Sequence, residues 1–335
     1  MRDGILSAVG STPIVRLSRY LNGTNIRLYA KMEMLNPGGS IKDRPAAKII
    51  EEALCAGIIS PGSVVVESSS GNMGIGLAQA CRYHGLRFIC VVDSKTTRQN
   101  IQLLRTYGAE VDIVTQPEPA TGELLLARIN RVKALLLEIE GSFWPNQYEN
   151  MNNPASHYQA TMHEITTALD GKIDVLFVAT STCGTVRGCA EYARDHGLGT
   201  RIVAVDALGS LIFSDKKANR SIPGLGAGMR PPLCELSLVD ECVHVDDLDC
   251  VVGCRRLVAR EAILAGGSSG GVMAAVEKVA SGLAPGAACV AILPDRGERY
   301  LDTVYSDEWV RNAWGDVEYL WKEERGEVAC VAMAS

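Results

Sequence analysis

Short β-branched runs alternate with longer helical patterns along most of the chain. Apolar runs predict strands at Leu28 to Met32, Ser63 to Glu67, Phe88 to Val92, Glu110 to Val114, Val175 to Ala179, Arg201 to Val205 and Cys289 to Leu293. Between them, spacing near 3.6 residues predicts helices around 44–57, 74–84, 97–107, 120–139, 155–169, 186–196, 253–264 and 270–281. Nearly continuous apolar strands separated by amphipathic helices require parallel sheets covered on both faces, so the fold class is α/β. A loop rich in Pro, Asn and Tyr, Trp144 to Pro154, interrupts the alternation and is the expected crossing between two α/β units. The last residues, about 315–335, lose periodicity and read as a loosely held tail.

Composition narrows the function classes. Of the 335 residues 47% are apolar and 21% charged, the balance of an ordinary globular enzyme with room for a large core. A net charge of -6, with no basic stripe interleaved with aromatics, argues against a nucleic-acid partner. No charged-then-apolar leader opens the chain and no apolar run reaches the roughly 18 residues of a membrane span, so the expectation is a cytoplasmic protein without a membrane partner. The 11 cysteines are odd in number, lack a Cys-x-x-Cys pair and fall mostly in apolar runs, which reads as small buried hydrophobes in a reducing compartment. The histidines at 84, 157, 163, 196 and 244 never take metal-ligand spacing, and no metal site is expected.

Candidate chemistry lies in glycine-rich turns at the starts of helices, where open α/β sheets bind ligands. Asn36-Pro37-Gly38-Gly39-Ser40-Ile41-Lys42-Asp43-Arg44 lets the backbone approach a bound group and aims Lys42 in a definite direction, with Ser40 a candidate N-cap. A capped helix start with a solvated lysine would also satisfy that string. Ser68-Ser69-Ser70-Gly71-Asn72-Met73-Gly74 follows a strand and opens a helix, which suits a carboxylate or phosphate, although serines that merely cap the helix fit as well. Ser181-Thr182-Cys183-Gly184-Thr185 repeats that architecture and implies a second anion site. Gly266-Gly267-Ser268-Ser269-Gly270-Gly271 is either a third such turn or only a flexible one. Gly224-Leu225-Gly226-Ala227-Gly228 has the wrong spacing, and no preceding strand, for a dinucleotide fingerprint.

Taken jointly, these strings resemble the cysteine synthase and cystathionine β-synthase family of fold-type II pyridoxal-phosphate (PLP) enzymes. The resemblance runs from Gly10-Ser11-Thr12-Pro13 through Asn146-Gln147-Tyr148 and Ile263-Leu264-Ala265-Gly266 to Leu293-Pro294-Asp295-Arg296-Gly297-Glu298-Arg299-Tyr300. It implies two open twisted parallel-sheet units with the cofactor in the cleft between them: a smaller one over 13–147, a larger one from 1–12 and 148–315, and a tail at 316–335. It also implies a homodimer. Lys42 resembles the lysine that anchors the cofactor and moves the substrate's α-proton. The loop Ser181, Thr182, Cys183, Gly184 and Thr185 resembles the cradle for the cofactor phosphate, Asn72 the partner of the ring hydroxyl, and Ser268 the partner of the ring nitrogen. A serine there leaves the ring largely unprotonated and favours β-elimination over transamination.

Ser69, Ser70, Asn72 and Gln147 resemble the grip on the substrate α-carboxylate, and Met73 replaces a hydroxyl residue usual in that loop. Met73, Cys183 and the segment Val92 to Thr97 depart from the cysteine synthase pattern and resemble instead a subgroup of the family. That subgroup joins O-phospho-L-serine to L-glutamate through an α-aminoacrylate, giving N-(2-amino-2-carboxyethyl)-L-glutamate and phosphate on the way to 2,3-diaminopropionate for siderophores and peptide antibiotics. For the second carboxylate of glutamate the resemblance points to Arg128, with Tyr148 and Ser181; Arg131 and Lys133 nearby leave open a solvated helix face. Arg230 is the candidate for the leaving phosphate. A cysteine synthase using sulfide, and a non-catalytic relative that only binds the cofactor, are the alternatives.

Overall fold

The computed structural model describes residues 3–21, 23–119, 122 and 124–322. In chain order its strands are β1 (Ile14–Arg16), β2 (Arg27–Met32), β3 (Val64–Ser68), β4 (Arg87–Asp93), β5 (Glu110–Val114), β6 (Val175–Ala179), β7 (Arg201–Ala207), β8 (Glu241–Val245) and β9 (Ala288–Leu293). The helices are α1 (Asp43–Cys55), α2 (Asn72–Tyr83), α3 (Arg98–Thr106), α4 (Leu124–Glu138), α5 (Asn152–Ser156), α6 (His163–Ala168), α7 (Gly184–Asp195), α8 (Asp247–Glu261), α9 (Gly267–Ala280) and α10 (Asp307–Trp314). A π-helical stretch, His157–Met162, joins α5 to α6.

Six strands form one sheet in the order β1-β2-β9-β6-β7-β8 and three form another in the order β3-β4-β5. Every pairing is parallel except β1 with β2. The side-chain period of two divides the larger sheet's apolar residues between two cores. Phe177, Val203, Val205, Cys289 and Ala291 face one, with Cys254 of α8 and Val272 of α9, while Leu176, Val178, Ile202, Ala204, Val290 and Ile292 face the other, with Val186 and Cys189 of α7. In the smaller sheet Val65, Phe88, Cys90 and Val92 meet Ile49, Ile50 and Leu77 of α1 and α2, and Val66, Ile89 and Val91 meet Val132 and Leu135 of α4. Helices α8 and α9 approach through glycine: a Cβ on Gly270 would lie 1.9 Å from the Cys250 carbonyl oxygen.

The α/β class with parallel sheets is as the sequence indicates, with three local corrections. β1 and β2 fall inside the 13–147 span expected for the smaller unit, yet β2 hydrogen-bonds to β9 and both lie in the larger sheet. The helix expected at 155–169 begins at Asn152 and carries the π-helical stretch. The expected tail is not loose at its start: Trp321 is 9% exposed and packs in the larger core with Val310 and Tyr300, with Leu320 and Val317 against it. The remainder of that expected tail, 323–335, lies outside the described residues.

Candidate active site

The turn before α1 is fixed from three sides. Gly39 has φ 88°, the left-handed region where glycine alone is unstrained, and the Gly38 N–H donates to Asp43 Oδ2 at 2.5 Å. Ser40 closes the turn instead of capping the helix: its Oγ accepts from the Lys42 backbone N–H at 3.2 Å. The segment after β9 runs alongside, with Ile41 N–H donating to the Pro294 carbonyl at 2.8 Å, Arg296 N–H to Gly39 O at 3.2 Å and Arg299 Nη2 to Gly38 O at 2.6 Å.

Below the turn, the buried Arg44 guanidinium donates to Glu33 at 2.7 and 2.8 Å and to Glu164 at 2.8 Å through two nitrogens. Glu164 also accepts from Lys31 Nζ at 2.5 Å and Ser11 N–H at 2.9 Å, while Glu33 accepts from Thr12 Oγ1 at 2.7 Å. The network ties the start of α1 to β2 and α6. Above it, Lys42 is half-buried, and burial lowers its amine to about 8 despite the opposing effect of Asp295. A solvated surface lysine does not fit that environment.

In the next loop Ser69 Oγ accepts from Gly74 N–H at 2.9 Å and Gly71 N–H at 3.4 Å, so this serine does hold the helix start, as the capping alternative required. The Ser70 carbonyl accepts from Asn100 Nδ2 at 3.0 Å. The Met73 side chain is 3% exposed and packs in the smaller unit's core, which leaves the loop only its backbone N–H. Gln147 closes over the loop: its Nε2 donates to Ser68 O at 3.1 Å and its backbone N–H to Glu67 Oε2 at 3.2 Å. Asn72 meets Asp295, its Nδ2 donating to Oδ2 at 2.8 Å, and accepts from Arg299 at its Oδ1.

The loop Ser181 to Thr185 leads into α7, whose first amides lack helical partners and carry the positive end of the dipole. Cys183 adopts φ 65°, a left-handed conformation that costs a non-glycine residue about 1 kcal/mol or more. Gly184 has no room for a side chain, since its Cβ would lie 2.0 Å from Asn153 Oδ1. Asn153 Nδ2 donates to Thr182 Oγ1 at 3.1 Å, and Thr185 Oγ1 lies 3.2 Å from His157 Nε2, with His157 Nδ1 3.0 Å from Thr161 Oγ1. Burial, then the charges of Lys42 and Arg44, push His157 well below its ordinary range, so it is neutral and fixes Thr185 by hydrogen bonding alone.

Ser268, at the second position of α9, is 3% exposed and its hydroxyl makes no hydrogen bond among the described residues. The start of α9 joins the same assembly, because Gly266 N–H donates to the Asp295 carbonyl at 2.9 Å. The donor set therefore fits PLP: open helix amides with Thr182 and Thr185 for a phosphate, a hydroxyl for a ring nitrogen, a carboxamide for a ring oxygen and a desolvated amine.

Arg128 is not on a solvated face. It is 9% exposed on α4, its Nε forms an ion pair with Asp93 Oδ2 at 3.1 Å, and that buried Nε makes no hydrogen bond among the described residues. Its charge reaches Tyr148 and Glu67, whose carboxyl burial raises to about 7 against hydrogen bonds from Ser68, Trp144 and Gln147. Arg230 is exposed, with Nε donating to Ile212 O at 2.8 Å. It flanks the 181–185 loop through Cys234, whose thiol is held down by the neighbouring Cys183 and by the charge of Arg230.

Asp93, Asp295, Arg299, His157 and the Glu33–Arg44–Glu164 network were not singled out from sequence. Asp295, Arg299, Arg44 and Asp93 lie in motif strings that carry no individual roles for them, and Glu33, Glu164 and His157 give no local signal.

Residues 5–295 match the family described as pyridoxal-phosphate dependent enzyme. Over 306 residues, 91% of this chain and 90% of the relative, the sequence is 47% identical to N-(2-amino-2-carboxyethyl)-L-glutamate synthase of Ralstonia nicotianae. Among solved structures, O-ureido-L-serine synthase superposes with a TM-score of 0.82 at 31% identity, covering 92% of this chain and 99% of that one. The O-acetylserine dependent cystathionine β-synthase of Helicobacter pylori superposes with a TM-score of 0.85 at 30% identity, covering 91% and 99%. With a donor set that fits PLP and a match over most of its length, this chain belongs to the pyridoxal-phosphate dependent enzyme family.

Proposed function

We propose that the protein catalyses a β-replacement, converting O-phospho-L-serine and L-glutamate to N-[(2S)-2-amino-2-carboxyethyl]-L-glutamate and inorganic phosphate. The observation that carries this reading is Arg128, buried on α4 with its Nε making no hydrogen bond among the described residues and its charge reaching Tyr148. Sulfide needs no guanidinium, whereas glutamate brings two carboxylates that a planar fork binds bidentately. The name of the Ralstonia nicotianae relative points the same way.

When bound, PLP supplies the electron sink that lets the donor's α-proton leave. Lys42 is the base: with its amine at about 8, roughly one molecule in ten carries it neutral near pH 7. It takes the α-proton and later returns a proton to the same carbon. The Cβ–O bond to phosphate breaks, the glutamate nitrogen bonds to Cβ, and that nitrogen releases a proton.

Ser69, Ser70, the backbone N–H groups of Asn72 and Met73, and Gln147 hold the donor's α-carboxylate, and Ser181 to Thr185 hold the cofactor phosphate. Ser268 meets the ring nitrogen. Arg128, Tyr148 and Ser181 orient glutamate, and Arg230 meets the departing phosphate. On this reading the cleft between the two sheets is the reaction site and the working unit is a cytoplasmic homodimer. Its product supplies 2,3-diaminopropionate for siderophore or antibiotic assembly.

The test is release of inorganic phosphate by the PLP-loaded protein given O-phosphoserine with and without glutamate, with the product identified by mass. Phosphate release no greater with glutamate than without it sinks the assignment. Faster turnover with sulfide than with glutamate would move it to a cysteine synthase.

A further inference from the structure

Asn72 is bound at both ends of its carboxamide by one short segment. Its Nδ2 donates to Asp295 Oδ2 at 2.8 Å, and its Oδ1 accepts from Arg299 Nη1. A guanidinium carries no acceptor, so the carbonyl end must face Arg299 and the nitrogen end must face Asp295; the flipped amide would set N–H against N–H. The orientation of Asn72 is thus dictated by its partners, and the half-exposed side chain keeps one unspent N–H on its nitrogen edge.

The partners are themselves fixed. Asp295 is 1% exposed, its Oδ2 also accepts from Tyr300 Oη at 2.7 Å, and its Oδ1 is buried with no hydrogen bond. Its backbone bridges Ser40 and receives the Gly266 N–H at 2.9 Å. The Arg299 guanidinium that meets Asn72 also donates to Gly38 O at 2.6 Å, within the turn that carries Lys42. One strap, residues 294–300, therefore reaches the lysine turn, Asn72 and the start of the Ser268 helix.

We infer that Asp295, with Arg299, is a positioning residue that locks Asn72 as a hydrogen-bond donor toward the cofactor's ring oxygen, so that the site favours that oxygen in its ionised form. A hydrogen bond donated by Asn72 stabilises the ionised oxygen more than the protonated one, so this geometry favours the anion.

The test is the resting absorbance spectrum of the PLP-loaded protein, with no substrate present, in wild type, Asp295→Asn, Asn72→Ala and the double variant. Asp295→Asn keeps the shape but removes the carboxylate charge that faces Arg299 and accepts from the Asn72 N–H, which weakens both anchors of the carboxamide. The ratio of the long-wavelength band of the ionised ring to the short-wavelength band of the neutral one should fall about three- to tenfold, the range of one net hydrogen bond. Asn72→Ala should give a similar fall, and the double variant no further one. A wild-type spectrum for Asp295→Asn beside a shifted one for Asn72→Ala would overturn the inference. So would two shifts that multiply in the double variant, because Asp295 would then act independently of Asn72. Should Asp295→Asn fail to fold, Arg299→Met removes the other partner and should show the same non-additivity with Asn72→Ala.

Discussion

Replacing Arg44 with methionine tests whether the charge network beneath the lysine turn holds the fold together. The substitution keeps most of the side-chain volume and deletes five hydrogen bonds of the guanidinium, two to Glu33, two to Glu164 and one to Thr12 Oγ1. Glu33 is fully buried and the Glu164 side chain is 19% exposed, so both carboxylates would lose a partner away from bulk water. Leaving such a charge uncompensated costs about 3–5 kcal/mol. At a urea m-value of about 3 kcal/mol/M, the unfolding midpoint should fall by about 1 M or more.

The pH dependence gives a second, independent arm. Burial by itself would raise the Glu164 carboxyl, but the hydrogen bond and charge of Arg44, with Lys31 and the Ser11 N–H, outweigh burial and bring it from 4.5 to about 2. A carboxyl depressed in the folded state contributes stability that is fully present above its unfolded value and is lost as pH falls through its folded value. That contribution is about 3 kcal/mol. The gap between wild type and R44M should therefore be widest near about pH 7 and narrow towards about pH 3 as Glu164 begins to protonate. Urea titrations followed by circular dichroism at both pH values check this. Equal midpoints near neutrality, or a gap that does not narrow in acid, would refute the reasoning.

Arg128→Lys keeps the charge and loses the fork, so the KM for glutamate should rise about tenfold while phosphate release from donor alone stays unchanged. Steady-state kinetics on each half separate the two effects. Because burial sets the Lys42 amine at about 8, the rate at which cofactor-free protein takes up PLP should climb with pH through that value and then level off. Stopped-flow absorbance reads it, and Lys42→Ala should show no such step. Gly270→Ala would place a Cβ 1.9 Å from the Cys250 carbonyl and force α8 and α9 apart, at a cost of about 1–3 kcal/mol, visible as a lower melting temperature.

Much of the architecture was legible because parallel strands buried on both faces must be nearly continuous in apolar residues, as β9 is from Ala288 to Leu293. β1 and β8 escaped that reading because they are the edges of the larger sheet: β1 is three residues long and mostly exposed, and only Val243 and Val245 of β8 are buried. The glycine turns were visible as strings, and Lys42, Asn72, Ser268 and the 181–185 loop do lie on elements linked through Asp295 or packed at the start of helices. The Met73 side chain was not legible as a core residue, since its position in a loop string says nothing of which way it points. Nor could the sequence disclose the partners of Arg44 or Arg128, because Glu164 lies 120 residues from Arg44 and nothing local marks Asp93 as the neighbour of α4.

The placement of β2 in the larger sheet also sets an order of assembly. The smaller sheet draws all its strands from residues 64–114, so it can close as soon as that stretch exists. β2 pairs at once with β1, but its other edge pairs with β9, roughly 260 residues further along. During synthesis that edge stays open, an exposed template for mispairing until β9 has been made. The Pro294 carbonyl that receives the Ile41 N–H arrives at the same moment. The lysine turn is thus made well before it can be locked, and a nascent chain stalled before residue 288 would carry the Lys42 amine on an unfinished sheet.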